Sequence, residues 1–314
     1  LFPRGHISKE ESVQESILLF FQKHATPSLT TAAEIVTMLG EQYFFIAVIT
    51  FVYWLVSRRE GFKLASIFVF SAVINSMIKI FVRAPRPFEK MAALTPERLE
   101  TATGYAFPSG HTQGAASFFA AVALILRKWW VTVIAAVFMT AVGLTRVYLR
   151  VHWPADAAAG LVLGVAIALG LNAVIGRLWT SPQKLRRFFL VLEAAVFLAT
   201  VVVYILHETV FPEGWKIEDF FKISGISLGL VSGFFLQERF VRFDPAGGPL
   251  LLKGLRYILG LGTTLGILLG LGAAFPELLW FDYGRYGLVG LWVAYCWPAL
   301  GIKLKLFQSE GEKK

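Results

Sequence analysis

The sequence predicts an all-α fold, a polytopic transmembrane helical bundle of about nine spans. Three observations carry that expectation. Of the 314 residues, 56% are hydrophobic and only 16% charged, which is too apolar for an ordinary water-soluble domain. Apolar runs approaching the roughly 20 residues that cross about 30 Å of hydrocarbon recur along the chain. The connections between these runs fall into two sets of different charge, as the two sides of a membrane require.

In chain order, residues 10–43 do not make a span. A five-residue apolar run, Ile17 to Phe21, is followed by Lys23, Pro27, Ser28 and Thr30, so one or two short helices lying in the interface are expected. They serve either as a cover for the bundle or as a lipid-sensing element. Nine candidate spans follow, at about 43–56, 64–82, 112–126, 130–149, 157–178, 188–206, 223–236, 255–274 and 287–304. The opening LFPRGH resembles the remnant of a protease-cleaved tag, and no signal peptide is evident. The expected organisation is an N-terminal interfacial segment (1–42), a core that holds the chemistry (43–206) and additional C-terminal transmembrane helices (207–314).

One set of connections holds 17 of the 30 Lys and Arg residues, from Arg58 and Arg59 through Arg186 and Arg187 to the tail lysines Lys313 and Lys314. The positive-inside rule places that set in the cytoplasm, with the N-terminus outside and the C-terminus inside. The net charge of +9 is therefore read as basic inner loops, and no nucleic-acid partner is expected. The lone cysteine, Cys296, excludes an intrachain disulfide. Gly160 with Gly164, and Gly262, Gly266 and Gly270, repeat at every fourth position, a spacing that allows close helix approach in lipid. Glu193, inside the sixth span, is an intramembrane carboxylate and so a functional candidate; snorkelling toward Arg186 and Arg187 is its expected role.

The chemistry concentrates in three pieces, KIFVRAPRP, GYAFPSGH and TRVYLRVHWPAD. All three fall at the outward ends of their spans. In PSGH, Ser109 is a natural N-cap, Gly110 leaves the backbone open to approach, and His111 lies in the first turn, where helix N–H groups suit an anion. In HWPAD, Pro154 fits the first helical position, so Asp156 can reach back to His152. A carboxylate accepting from one ring nitrogen leaves the other unprotonated and nucleophilic. Arg146 ends the preceding span. In KIFVRAPRP, Lys79 can snorkel outward, and Arg86, set between prolines, offers a planar fork matched to phosphate oxygens. Two histidines, one carboxylate and a cation cluster point to a phosphate ester.

These pieces resemble the signature of the type-2 phosphatidic acid phosphatase family, which also includes vanadium haloperoxidases, bacterial acid phosphatases and glucose-6-phosphatase. The signature is a Lys, six residues, then Arg-Pro; Pro-Ser-Gly-His; and Ser-Arg, five residues, His, three residues, Asp. Here it reads Lys79 with Arg86–Pro87, Pro108–His111, and Arg146 with His152 and Asp156; Thr145 stands for the leading Ser and keeps a hydroxyl. The resemblance covers about residues 43–178. It implies a six-helix-type phosphatase core. It also implies that His152 is the nucleophile forming a phosphohistidine, that Asp156 orients it, and that His111 is general acid and then base. Lys79, Arg86, Ser109, the Gly110 N–H and Arg146 would hold the phosphoryl oxygens. No metal or other cofactor is expected, since the cations supply the charge. Arg83 and Arg150 also lie near enough to contact substrate, but solvated loop positions are their expected role.

The expected partners are a lipid phosphate and the bilayer, with the site on the non-cytoplasmic side. Phosphatidic acid, phosphatidylglycerol phosphate and isoprenyl diphosphates are the lipid candidates. A sugar phosphate is the alternative, because the nine-span layout is similar to that of glucose-6-phosphatase. Phosphotransfer to an acceptor lipid and a transporter or scaffold on an inactive core complete the set. The oligomeric state is not legible. The long loop 84–107, with a helix start expected at Thr95–Pro96–Glu97, is read as a lid or headgroup-selecting element.

Overall fold

The computed structural model describes residues 9–211, 215–275 and 278–310; the LFPRGH opening, Lys313 and Lys314 lie outside them. The helices are α1 (Lys9–Lys23), α2 (Pro27–Thr37), α3 (Gln42–Phe51), α4 (Arg58–Val82), α5 (Pro87–Lys90), α6 (Gly110–Leu126), α7 (Trp129–Tyr148), α8 (Pro154–Leu178), α9 (Pro182–Thr209), α10 (Glu218–Phe240), α11 (Leu250–Ala274), α12 (Leu279–Leu291) and α13 (Trp297–Lys303). Two-residue strands β1 (Phe243–Asp244) and β2 (Gln308–Ser309) pair antiparallel.

Each of the nine predicted spans is helical to within a residue of its ends. Six stretches are long and apolar enough to cross a bilayer: Arg58–Lys90, Trp129–Tyr148, Pro154–Leu178, Pro182–Thr209, Glu218–Phe240 and Leu250–Ala274. The pair Pro27–Gly40 and Gln42–Val56 adds a seventh if taken as one broken span. At 17 residues, α6 is shorter, and the last predicted span is divided among α12, a π-helical turn (Trp292–Cys296) and α13. The protein is a multi-pass integral membrane protein.

The chain forms two compact units, residues 1–42 with 74–168, and residues 43–73 with 169–314. In the first, Thr26 caps α2 by accepting from Leu29 N (3.3 Å), and Pro27 opens the helix. Leu18 of α1 packs with Leu94, Val147 and Ala157, and Ala33 of α2 with Leu149 and Val151. Gln14 Oε1 accepts from Ala155 N (3.1 Å), one residue into α8. The segment read as interfacial is thus docked on the residues around the end of α7 and the start of α8. Gly164 brings α8 against α6: a Cβ there would lie 2.6 Å from the Gln113 carbonyl oxygen and 2.6 Å from Ala116 Cβ.

In the second unit the glycine expectation fails for α11. A Cβ on Gly262, Gly266 or Gly270 would meet nothing within 4 Å. The close approach is instead between α10 and α12, where a Cβ on Gly225 or Gly229 would overlap the Tyr283 or Gly287 carbonyl. Phe62 stacks on Phe234 at 3.7 Å and meets Phe189 edge-on. Glu193 does not snorkel to Arg186 and Arg187. It is buried, and its Oε2 accepts from Ser227 Oγ of α10 at 3.2 Å, so the carboxylate found a partner on a neighbouring helix.

Candidate active site

All the predicted site residues lie in the first unit. Ser109 caps α6, accepting from Thr112 N (3.4 Å). Its own N–H donates to the Asp156 carbonyl at 3.0 Å, which joins the second motif piece to the third. Asn75, one turn before Lys79 on α4, donates to the Pro108 carbonyl (3.3 Å) and to Gln113 Oε1 (2.9 Å). Lys79 is buried and donates from Nζ to the Tyr105 carbonyl. A Cβ on Gly110 would sit 4.0 Å from Lys79 Cε, so the glycine faces the lysine across the open start of α6.

His152 lies in the loop between α7 and α8, buried. Asp156, in the first turn of α8, reaches back as its spacing requires: Oδ2 is 3.3 Å from His152 Nδ1 and accepts from Trp153 N at 2.9 Å. On the other side of the ring, Arg86 Nη1 is 3.2 Å from Nε2. A carboxylate at Nδ1 and a guanidinium donor at Nε2 select the same tautomer, with the proton on Nδ1 and the lone pair on Nε2. Burial, then the charges of Arg86, Lys79 and Arg146 and then His111, push the His152 imidazole well below its usual 6.5. The groups in that field come from all three motif pieces, so the pieces converge on this ring.

Arg86 is buried by three carbonyls. Nε donates to Gly104 (3.2 Å), Nη1 to Val151 (2.8 Å) and Nη2 to Thr103. Arg146, on α7, is fully buried. Its Nη1 contacts Thr37 Oγ1 and Thr101 Oγ1, each at 3.2 Å. Its Nε and Nη2, and His111 Nε2, are buried and have no hydrogen-bond partner among the described residues. Buried polar atoms normally find partners, and the Nε–Nη2 edge is the pair of parallel donors that grips two oxygens of one phosphate. The Thr145 hydroxyl donates to the Val142 carbonyl of its own helix at 2.7 Å, so its role is local to α7.

The loop 84–107 is fastened along its length. Ala106 N donates to the Ala84 carbonyl (2.9 Å) and Glu97 N to the Leu149 carbonyl (3.0 Å). Gln22 bonds the Ala93 carbonyl (2.8 Å) and Thr95 N (2.7 Å). Arg98 pairs with Glu41. The expected helix start at Thr95 is absent; a single 3-10 turn forms at Leu99–Thr101. Arg150 is not a solvated residue: it is buried and bonds the Thr95 carbonyl (2.6 Å), the Tyr148 carbonyl (3.0 Å) and Glu97 Oε1 (3.1 Å). Sequence reading missed Asn75, Thr37 and Thr101. Only Asn75 carried a signal, a polar residue in a span one helical turn from Lys79.

Two family models match the chain: the PAP2 superfamily over residues 60–180 and the transmembrane extension of PAP2 superfamily phosphatases over residues 221–310. Among curated proteins, the chain is similar to phosphatidylglycerophosphatase B of Bacillus subtilis, 27% identical over 173 residues, 51% of this chain and 80% of that one. It is also similar to a lipid A 1-phosphatase of Rhizobium etli, 32% identical over 164 residues, 51% of this chain and 62% of that one. A crystal structure of a transmembrane PAP2-type phosphatidylglycerolphosphate phosphatase from Bacillus subtilis aligns with 25% identity and a TM-score of 0.48, over 55% of this chain and 89% of that one.

Proposed function

Since the chain belongs to the PAP2 superfamily, we propose that it is a membrane phosphatase that hydrolyses the phosphate monoester or diphosphate of a lipid through a phosphohistidine intermediate. His152 Nε2 attacks phosphorus, an N–P bond forms, and the P–O bond to the leaving group breaks while His111 gives that oxygen a proton. Water then attacks the phosphohistidine and loses a proton to His111, and the N–P bond breaks, releasing orthophosphate and neutral His152. Lys79, Arg86, Ser109, the Gly110 N–H and Arg146 hold the phosphoryl oxygens, where stabilisation of developing charge does most of the work. Asp156 keeps the proton on Nδ1 and offsets the charge that His152 acquires on attack.

The observation that carries this reading is the pairing of a lone-pair-bearing Nε2 on His152 with unpartnered donors on Arg146 and an unpartnered ring nitrogen on His111, all buried. A lipid substrate is favoured by the end of α4, where Phe81 is 71% and Val82 51% exposed within five residues of Arg86; in a bilayer these side chains meet acyl chains. The test is phosphate release by purified protein from phosphatidic acid, phosphatidylglycerol phosphate, an isoprenyl diphosphate and glucose 6-phosphate. Turnover of at least one lipid substrate in preference to glucose 6-phosphate is expected. Preference for the sugar phosphate would overturn the lipid assignment, and label recovered in an acceptor lipid would make the protein a phosphotransferase. Active-site placement on the non-cytoplasmic side is part of the same proposal.

The pH profile follows from the field at His152. An imidazole held below 6.5 by burial and by cations is already unprotonated through neutral pH. The acid limb of kcat/KM, which reports the unliganded enzyme, is expected below pH 6.5. Removing one cation lets the ring keep its proton to higher pH, so Lys79→Gln should move that limb upward. The substrate's own ionisation is common to both profiles and cancels in the comparison. An unmoved limb would contradict the assignment of His152.

A further inference from the structure

Arg146 is held from outside the motif. Its Nη1 lies 3.2 Å from Thr37 Oγ1 on α2 and 3.2 Å from Thr101 Oγ1 in the loop 84–107. Thr37 is fully buried, as Arg146 is. Thr101 Oγ1 donates its own proton to the Arg98 carbonyl (3.2 Å), so its lone pairs are left for the guanidinium. A guanidinium is a rigid plane, and two acceptors on one corner fix both the tilt and the direction of the opposite edge. That opposite edge, Nε and Nη2, is the one with no partner among the described residues. The two threonines are themselves tied together: Arg98, three residues before Thr101, pairs with Glu41 and donates to the Glu34 carbonyl (3.3 Å), residues that bracket Thr37. Next to them, a Cβ on Gly40 would lie 3.2 Å from His111 Cβ, so the same short segment backs the second histidine.

We propose that Thr37 and Thr101 are positioning residues that aim the Nε–Nη2 fork of Arg146 at the phosphoryl group, which makes the N-terminal helix α2 part of the active site. The inference rests on the phosphatase reading above. Thr37→Val keeps the shape of the side chain and removes the oxygen; Thr37→Ser keeps the oxygen. With a lipid phosphate that the wild type turns over, Thr37→Val is expected to lower kcat/KM about tenfold or more, the scale of a hydrogen bond to a charged group. Inhibition by orthovanadate, a phosphoryl analogue, should weaken by a similar factor, while Thr37→Ser stays within about threefold of wild type on both measures. If Thr37→Val loses its fold, as read by melting in detergent, Thr101→Val on the loop carries the same expectation. A valine variant that matches wild type in either measure overturns the proposal, as does a serine variant as impaired as the valine one. An inactive wild type would instead end the phosphatase reading, so the two failures are distinguishable.

Discussion

His152→Ala should lose phosphate release by a factor on the order of 10⁴ or more, the scale seen when a nucleophile is removed from a set of groups acting as a unit. At about 1.4 kcal/mol per tenfold change in rate, that is roughly 5–6 kcal/mol of transition-state stabilisation. The protein should still fold. The imidazole is a small buried side chain whose ring bonds are to Asp156 and Arg86, and both keep other partners, Trp153 N for Asp156 and the Thr103, Gly104 and Val151 carbonyls for Arg86. Helical circular dichroism and detergent melting should therefore stay near wild type while turnover disappears. Asp156→Asn should retain more activity than His152→Ala, because Nε2 survives and only its tautomer and its compensating charge are lost. Phosphate release by His152→Ala above one-hundredth of the wild-type rate would remove the phosphohistidine mechanism.

Arg86→Lys should damage activity and stability together. The guanidinium spends its donors on three carbonyls of two separate segments and still lies 3.2 Å from His152 Nε2. An ammonium is a point charge on a flexible stem and cannot span that set. Each buried carbonyl left without a donor costs about 1–3 kcal/mol, so a melting temperature lower by several degrees is expected. A fall in kcat/KM of about 10² or more should accompany it, because an ammonium cannot replace those bonds and also keep a donor at His152 and the phosphoryl oxygens. The second motif cation thus differs from Lys79, a point charge whose Nζ donates to the Tyr105 carbonyl. A lysine variant with wild-type melting and turnover would show that the arginine's fork is not needed.

The parts of the site that were legible in the sequence are those fixed by short-range geometry. Ser109 as a cap, Pro154 at a helix start and Asp156 folding back on His152 all follow from spacings of a few residues. Helix existence was legible for the same reason, since apolar runs declare themselves. What spacing cannot give is the partner across the bundle. Every fourth residue being glycine marks a small face on α11, but the face that is filled belongs to α10, against α12. Glu193 is six residues from Arg187, which it does not use, and 34 residues from the Ser227 that it does. Thr37 meets Arg146 across 109 positions, and a threonine at the end of a short helix carries no mark of that encounter. Span counting is blurred by the same limit: α6 at 17 residues and the π-helical turn before α13 are features of packing that hydropathy does not encode.

The buried Arg150, bonded to Thr95 and Glu97 on one side and Tyr148 on the other, moors the segment 84–107 to the end of α7. Opening it would first have to break those bonds, so they favour a headgroup-selecting element over a lid. Anyone grafting another relative's segment here, to change which headgroup is accepted, would have to carry its moorings too: the arginine beneath it, the glutamine of α1 and the glutamate that follows α2.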